Sequence, residues 1–181
     1  MQVALRQAAL SDIKEIADLV NQAYRPASQL RGWTHEADLV SGDRVSLEQL
    51  LALFGVASRI LVLCHEHRIV ACVHLRHKGR ASCIGMLATH IDFQDRGLGG
   101  LMLMHAEEYA VEHFDADTFC MSVLSARPEL IAFYERRGYI RTGEQEDYPL
   151  AAGVGLPRVN DLYVICLAKP VYELVKDRSL S

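Results

Sequence analysis

Three glycines, Gly97, Gly99 and Gly100, stand within the four positions 97–100 of FQDRGLGGL, directly ahead of LMLMHAEEYAVEHF, a run that reads as helix. Glycine costs about 1 kcal/mol more than alanine inside a helix, so three in a first turn ask for a reason. A helix N-terminus leaves four backbone N–H groups without partners and carries roughly half a positive charge. A diphosphate satisfies both, provided no side chain stands between its oxygens and the backbone, and glycines clear that approach. The structural alternative is a tight strand-to-helix turn or close packing of the helix on a sheet. Two other phosphate loops do not fit: a Walker loop needs Lys-Ser/Thr where Leu101 and Met102 stand, and a dinucleotide fingerprint needs a third glycine at Met102. The cluster His65, Glu66 and His67 sits in an expected hairpin turn, where alternation sends the two rings to opposite sides, so no metal is expected there or elsewhere.

The elements around these residues follow from patterning. Val3 to Arg6 reads as strand, followed by a helix capped by Ser11 with Ile13, Ile16, Ala17, Val20, Ala23 and Tyr24 on one stripe. LRGWTHEADLVSGDR reads as loop or broken helix. Ser46 and Gln49 form a capping box for a helix Leu47 to Phe54, which a left-handed Gly55 would end. ILVLC, IVACVHL and ASCIGMLATH are β-branched-rich strands joined by hairpins at HEHR and RHKGR. The glycine-led helix follows, then the strand TFCMSVL and a helix with Pro128 in its first turn and Gly138 at its end. YIRT reads as a short strand, Gly143 to Arg158 as a polar excursion, NDLYVICLA as the last strand and the tail as peripheral. This order predicts an α/β (α+β) fold: one mixed sheet with helices on both faces.

At 181 residues the chain is expected to form a single domain, 1–181. A formal charge of −4 lacks the basic excess that a phosphate backbone attracts, so nucleic acid is not an expected partner. No apolar stretch suits a membrane and no leader pattern opens the chain, which predicts a cytoplasmic protein. The five cysteines are scattered singly through apolar runs and are expected to be reduced core residues.

LATHIDFQDRGLGGLML resembles motif A of the GNAT superfamily of acetyl-CoA-dependent N-acetyltransferases, Q/R-x-x-G-x-G/A, through Gln94, Gly97 and Gly99. LSARPELIAFYERRGY resembles that family's motif B, a tyrosine-bearing helix ending in G-F/Y, through Tyr134, Gly138 and Tyr139. Two positions depart from the pattern: Ile91 stands where the family often has proline, and Arg127 where motif B often starts with asparagine. The resemblance implies the GNAT fold, a mostly antiparallel mixed sheet of about six to seven strands.

It also implies acetyl-CoA as cosubstrate and an amine of a small molecule or peptide as acceptor, with no metal and a homodimer left open. The pantetheine arm would pair with the strand carrying Leu87, Ala88 and Thr89. The diphosphate would lie on the N–H groups of Asp95, Arg96, Gly97, Leu98, Gly99 and Gly100, with Gln94 beside them among the cofactor-binding residues. Tyr134 would protonate the departing thiolate. Candidate bases are Glu36, Asp38, His90 and Asp161; the resemblance favours Glu36, because the segment between the first two helices borders the acceptor pocket in this family. Trp33 would wall that pocket or anchor its loop, and Glu144, Glu146 and Asp147 would draw in a cationic amine. The alternative is a non-catalytic CoA-binding sensor or scaffold.

Overall fold

The computed structural model describes residues 1–26, Trp33 and residues 35–171. The segment around Trp33 therefore falls partly outside the described residues, and the tail from 172 onward falls wholly outside them.

Seven strands form the main sheet, in the order β1-β3-β4-β5-β6-β9-β7, from β1 (Ala4–Gln7), β3 (Ser58–His65), β4 (Arg68–Lys78), β5 (Ala81–Thr89), β6 (Thr118–Leu124), β7 (Ile140–Asp147) and β9 (Tyr163–Pro170). Val40–Ser41 (β2) and Leu156–Pro157 (β8) make a separate two-stranded ribbon. Every pairing is antiparallel except β5 with β6. Helices α3 (Leu98–Phe114) and α4 (Pro128–Glu135) supply one face's core with Met102, Ala106, Leu130 and Ile131 against Val73, Ile84 and Phe119. Helices α1 (Ile13–Tyr24) and α2 (Leu47–Ala52) cover the other with Ile16, Val20 and Leu50 against Val62, Cys72 and Ala88. Each such fully buried Leu, Ile or Val contributes about 1.5–3 kcal/mol relative to its exposed state.

One buried polar knot crosses the first core. Glu107 on α3 accepts from Tyr139 Oη at 2.8 Å and from Lys169 Nζ at 2.8 Å, so both carboxylate oxygens are satisfied.

Several local expectations are corrected. The first helix starts at Ile13 after a 3-10 turn at Leu10–Asp12, and Asp12 rather than Ser11 ties its start, accepting the Ala9 N–H at 2.7 Å. The capping box of Ser46 and Gln49 forms, but α2 closes at Ala52 through Leu53, and Gly55 is not left-handed. The strand read at YIRT continues through GEQED, because Gln145, Glu146 and Asp147 pair with Ile165, Val164 and Tyr163. Cys83 and Cys120 are joined as a disulfide across β5 and β6, where they stand opposite each other in register with Cα atoms 4.6 Å apart. Cys64, Cys72 and Cys166 are free.

The β5–β6 pair positions the site. Its ladder runs only from Ala81–Thr118 to Cys83–Cys120, and the strands then diverge. Met86 adopts φ 52°, and the β4–β5 register shifts between Cys72 and His74. A wedge opens between Gly85–Thr89 and the upper half of β6, leaving one edge of β5 without a strand partner among the described residues.

Candidate active site

Between Thr89 and α3 the chain makes a 3-10 turn at Ile91–Phe93 and reaches Gly97, which caps α3 at φ 77°. That left-handed backbone is the one position in the loop that requires glycine. The Leu101 N–H donates to Gly97 O at 3.0 Å, so the N–H groups of Leu98, Gly99 and Gly100 have no partner within the helix. A Cβ at Gly97 would meet nothing within 4 Å, and one at Gly99 would meet only Thr89 Oγ1 at 3.9 Å. These two glycines hold space open rather than serving close packing. Gly100 differs, since a Cβ there would lie 3.0 Å from Arg137 Nη2.

The space is a cleft of about 260 Å³. Of the residues singled out in the sequence, Leu87, Thr89, Gln94, Asp95, Gly97, Leu98, Gly99, Gly100 and Tyr134 all line it. Ala88 does not; it is fully buried among the residues under α1. Arg96 does not either, lying 5.4 Å from the centroid of the Phe93 ring, with Nη1 3.9 Å from Met1 Sδ. Arg136 and Arg137 supply cations at the cleft wall instead.

Tyr134 forms a wall shared with a second cavity of about 310 Å³, which lies along the wedge and includes Gly85, Met86, Ser122 and Val123. Its hydroxyl has no hydrogen-bond partner among the described residues, and burial, with Tyr24 beside it, pushes its pKa upward. The phenol therefore keeps its proton. Tyr24 lines both cavities as well and donates from Oη to Leu87 O at 2.9 Å, tying α1 to the diverging strand. Burial pushes its pKa up too.

Glu36 lies in the second cavity, buried, with Arg25 Nη1 at 2.8 Å from Oε2 and Arg127 Nη1 at 3.6 Å from Oε1. Arg127 also binds Glu129 and donates to Trp33 O at 2.7 Å. Trp33 lines the glycine-loop cleft rather than the second cavity; its N–H donates to Gln94 Oε1 at 2.6 Å and its ring lies 5.1 Å from that of Phe133. Gln94 in turn donates to Thr89 O at 3.1 Å, so one side chain fixes both the loop and the tryptophan. His90 accepts from Arg68, away from both cavities, and its pKa is lowered, first by burial and then by Arg68. Asp38 and Asp161 line neither cavity, whereas Glu146 lines the second.

Sequence reasoning missed Tyr24, Arg25, Arg127 and Arg137. Tyr24 was one apolar position on a helical stripe, and the arginines were ordinary surface charges by composition. The one available signal was Arg127 at a motif position where a smaller polar residue is usual.

Residues 57–141 match the family model described as an acetyltransferase (GNAT) domain. No curated protein sequence matches the chain. Among solved structures, the chain superposes on the ribosomal-protein-S18-alanine N-acetyltransferase of Escherichia coli with a TM-score of 0.71 and 16% identity, covering 94% of each chain. An N-acetyltransferase from Staphylococcus aureus Mu50 gives 0.72 at 13% identity, over 95% of this chain and 99% of that one. The spermidine N-acetyltransferase of Vibrio cholerae in complex with CoA and spermine gives 0.67 at 16% identity, over 93% and 95%. Residues 57–141 thus match the model of a GNAT acetyltransferase domain, and the chain as a whole has the fold of the N-acetyltransferases on which it superposes.

Proposed function

We propose that this chain, as one domain spanning residues 1–181, moves the acetyl group of acetyl-CoA directly to a primary amine of a small molecule or peptide. The observation that carries this reading is the position of Tyr134, in the one wall common to the glycine-loop cleft and the cavity along the wedge. A donor in the first and an acceptor in the second would meet at that side chain. The spermidine enzyme of Vibrio cholerae was crystallised with CoA and spermine, and the Escherichia coli enzyme is named for an alanine of a ribosomal protein, so neighbours of this fold use both small and protein amines.

The diphosphate of the donor would rest on the unpartnered N–H groups ahead of Leu101, with Arg136 and Arg137 beside it. The two amides of the pantetheine arm would pair with the free edge of β5, because β6 has already turned away. The amine nitrogen then attacks the thioester carbon, a C–N bond forms and the C–S bond breaks. Tyr134 gives its proton to the departing sulfur, and bulk water restores it. Raised above its ordinary pKa, the phenol remains an acid throughout the neutral range.

Glu36 has a guanidinium on each oxygen, so in this reading it anchors Arg25 and Arg127 rather than serving as the base. The amine's proton leaves to water or to Glu146, the other carboxylate lining that cavity. Calorimetric titration with CoA, followed by thiol release from acetyl-CoA across a panel of amines, tests the reading. Heat together with turnover is expected; heat without turnover on any amine would mark a CoA-binding module instead.

A further inference from the structure

The acceptor cavity does not end at the wedge. It continues along the sheet face that α1 and α2 leave open, as a groove of about 730 Å³ floored by Cys83, Gly85, Ser122 and Cys166. Its two sides carry opposite charge, with Arg76 and Lys78 from β4 on one and Glu144 and Glu146 from β7 on the other. Arg44 and Glu146 line both compartments and so flank the junction through which an acceptor reaches Tyr134.

Arg44 is held there by its backbone, not by a counter-ion. Asn21 on α1 accepts the N–H groups of Arg44 at 2.8 Å and Val45 at 3.1 Å, and donates back to Val45 O at 2.9 Å. The guanidinium lies 5.5 Å from the centroid of the Tyr24 ring and makes no ion pair among the described residues. A second donor points to the same deficit. Arg25, whose side chain is only 6% exposed, has a buried Nε–H with no partner among the described residues. A desolvated donor without an acceptor is costly, and one such donor beside a half-buried guanidinium without an ion pair, on the wall of one cavity, marks a place built for an anion. His74 adds no third positive charge, since burial and then Arg76 and Arg44 lower its pKa to about 4.

We infer that the acceptor is zwitterionic: a primary amine that also bears a carboxylate, seated with the carboxylate on Arg44 and Arg25 and the ammonium toward Glu146. The inference rests on the acetyl-transfer reading and narrows its substrate. A polyamine would bring a second cation to Arg44 and be repelled, whereas a carboxylate there gains charge-assisted hydrogen bonds from a planar fork. The transfer itself is unchanged: the amine loses one proton, a C–N bond replaces the C–S bond, and the thiolate gains one proton.

The test is thiol release from acetyl-CoA with ω-amino acids from glycine to 6-aminohexanoate, each beside its own carboxamide, together with putrescine and spermidine. The best amino acid should exceed its carboxamide in kcat/KM by about tenfold or more, the discrimination expected when a buried donor loses its acceptor. In Arg44→Gln that still binds CoA, the ratio should fall to near one, and Arg44→Lys should retain part of it. A wild-type ratio near one, a ratio untouched by both substitutions, or a preference for the polyamines would overturn the zwitterionic acceptor while leaving acetyl transfer standing. CoA binding with no thiol release from any amine would remove acetyl transfer and this inference together.

Discussion

A Tyr134→Phe variant removes one oxygen atom from the wall that the glycine-loop cleft shares with the cavity along the wedge. Because that hydroxyl has no partner among the described residues, its loss orphans no donor or acceptor in the protein. The ring stays, with its edge-on contacts to Phe133 at 5.2 Å and Tyr139 at 5.8 Å. Stability should therefore change by less than about 1 kcal/mol, which for a chain of this size is a Tm shift under about 4 °C. Chemistry should respond differently. A positioned general acid is worth about 10² to 10⁴ in rate, so kcat should fall at least about a hundredfold, or about 2.7 kcal/mol in the barrier. The Kd for CoA, read by calorimetry, should stay within about twofold, since the N–H groups of the loop are untouched. Because the pKa of Tyr134 is raised, its acid form outlasts that of an ordinary phenol, and the wild-type rate should show no alkaline limb from this group below about pH 10. Turnover at the wild-type rate in Tyr134→Phe would remove the residue from the mechanism. A Tm loss well beyond 4 °C would instead mean that the hydroxyl bonds inside the protein.

Four further substitutions probe the surroundings. Gly97→Ala places a side chain at φ 77°, costing about 1–2 kcal/mol in stability, and also puts a methyl group where the diphosphate would approach; CoA affinity should drop about tenfold, whereas Gly99→Ala should leave thermal stability within about 1 kcal/mol. Unaltered CoA affinity in Gly97→Ala, measured by calorimetry, would detach the loop from the cofactor. Glu36→Gln leaves Arg25 and Arg127 without their shared carboxylate, and urea unfolding should show a loss of about 3–5 kcal/mol, which a residue acting only as a surface base would not cause. His74 has its pKa lowered from 6.5 to about 4, so between those values the unfolded chain binds a proton that the folded chain refuses. Stability from this group is present above about pH 6.5 and falls as the pH drops toward 4, with a slope of up to about 1.4 kcal/mol per unit. His74→Gln should remove that part of the acid slope when denaturant midpoints at pH 7 and pH 4.5 are compared with the wild type, and identical slopes would refute it.

The hairpins of β3, β4 and β5 were legible because long β-branched runs alternate with short polar connections, and α3 and α4 because proline and glycine mark their ends. The length of β7 was not. It is an edge strand whose eight residues are all exposed, so no apolar alternation betrays it, and GEQED extends only because β9 offers a ladder. Cys83 and Cys120 lie 37 positions apart on the one parallel pair, a register that no local pattern specifies. The candidate site divides along the same line. Gly97, Gly99 and Tyr134 stood out because backbone access and helix position impose residue types locally. The contact from Tyr24 to Leu87 spans 63 positions, and Arg127 meets Trp33 across 94, so those roles exist only once the chain has closed.

The wedge itself shows how the fold maintains the site at a cost to its own sheet. Extending the β5–β6 ladder past Cys83 and Cys120 would add backbone hydrogen bonds to the sheet, yet the strands part. At the parting point Met86, a residue with a long side chain, holds φ 52°, a conformation about 1–2 kcal/mol above its ordinary one. Strain of that size persists only where the surroundings over-determine it. Here they do: the Met86 side chain is 7% exposed among Ile16, Val20 and Cys72, and Tyr24 anchors the next carbonyl, at Leu87, from the end of α1. Helix α1 thus acts as a prop. Its last turn keeps β5 bent away from β6, and that bend is what leaves the edge of β5 beside the cleft free.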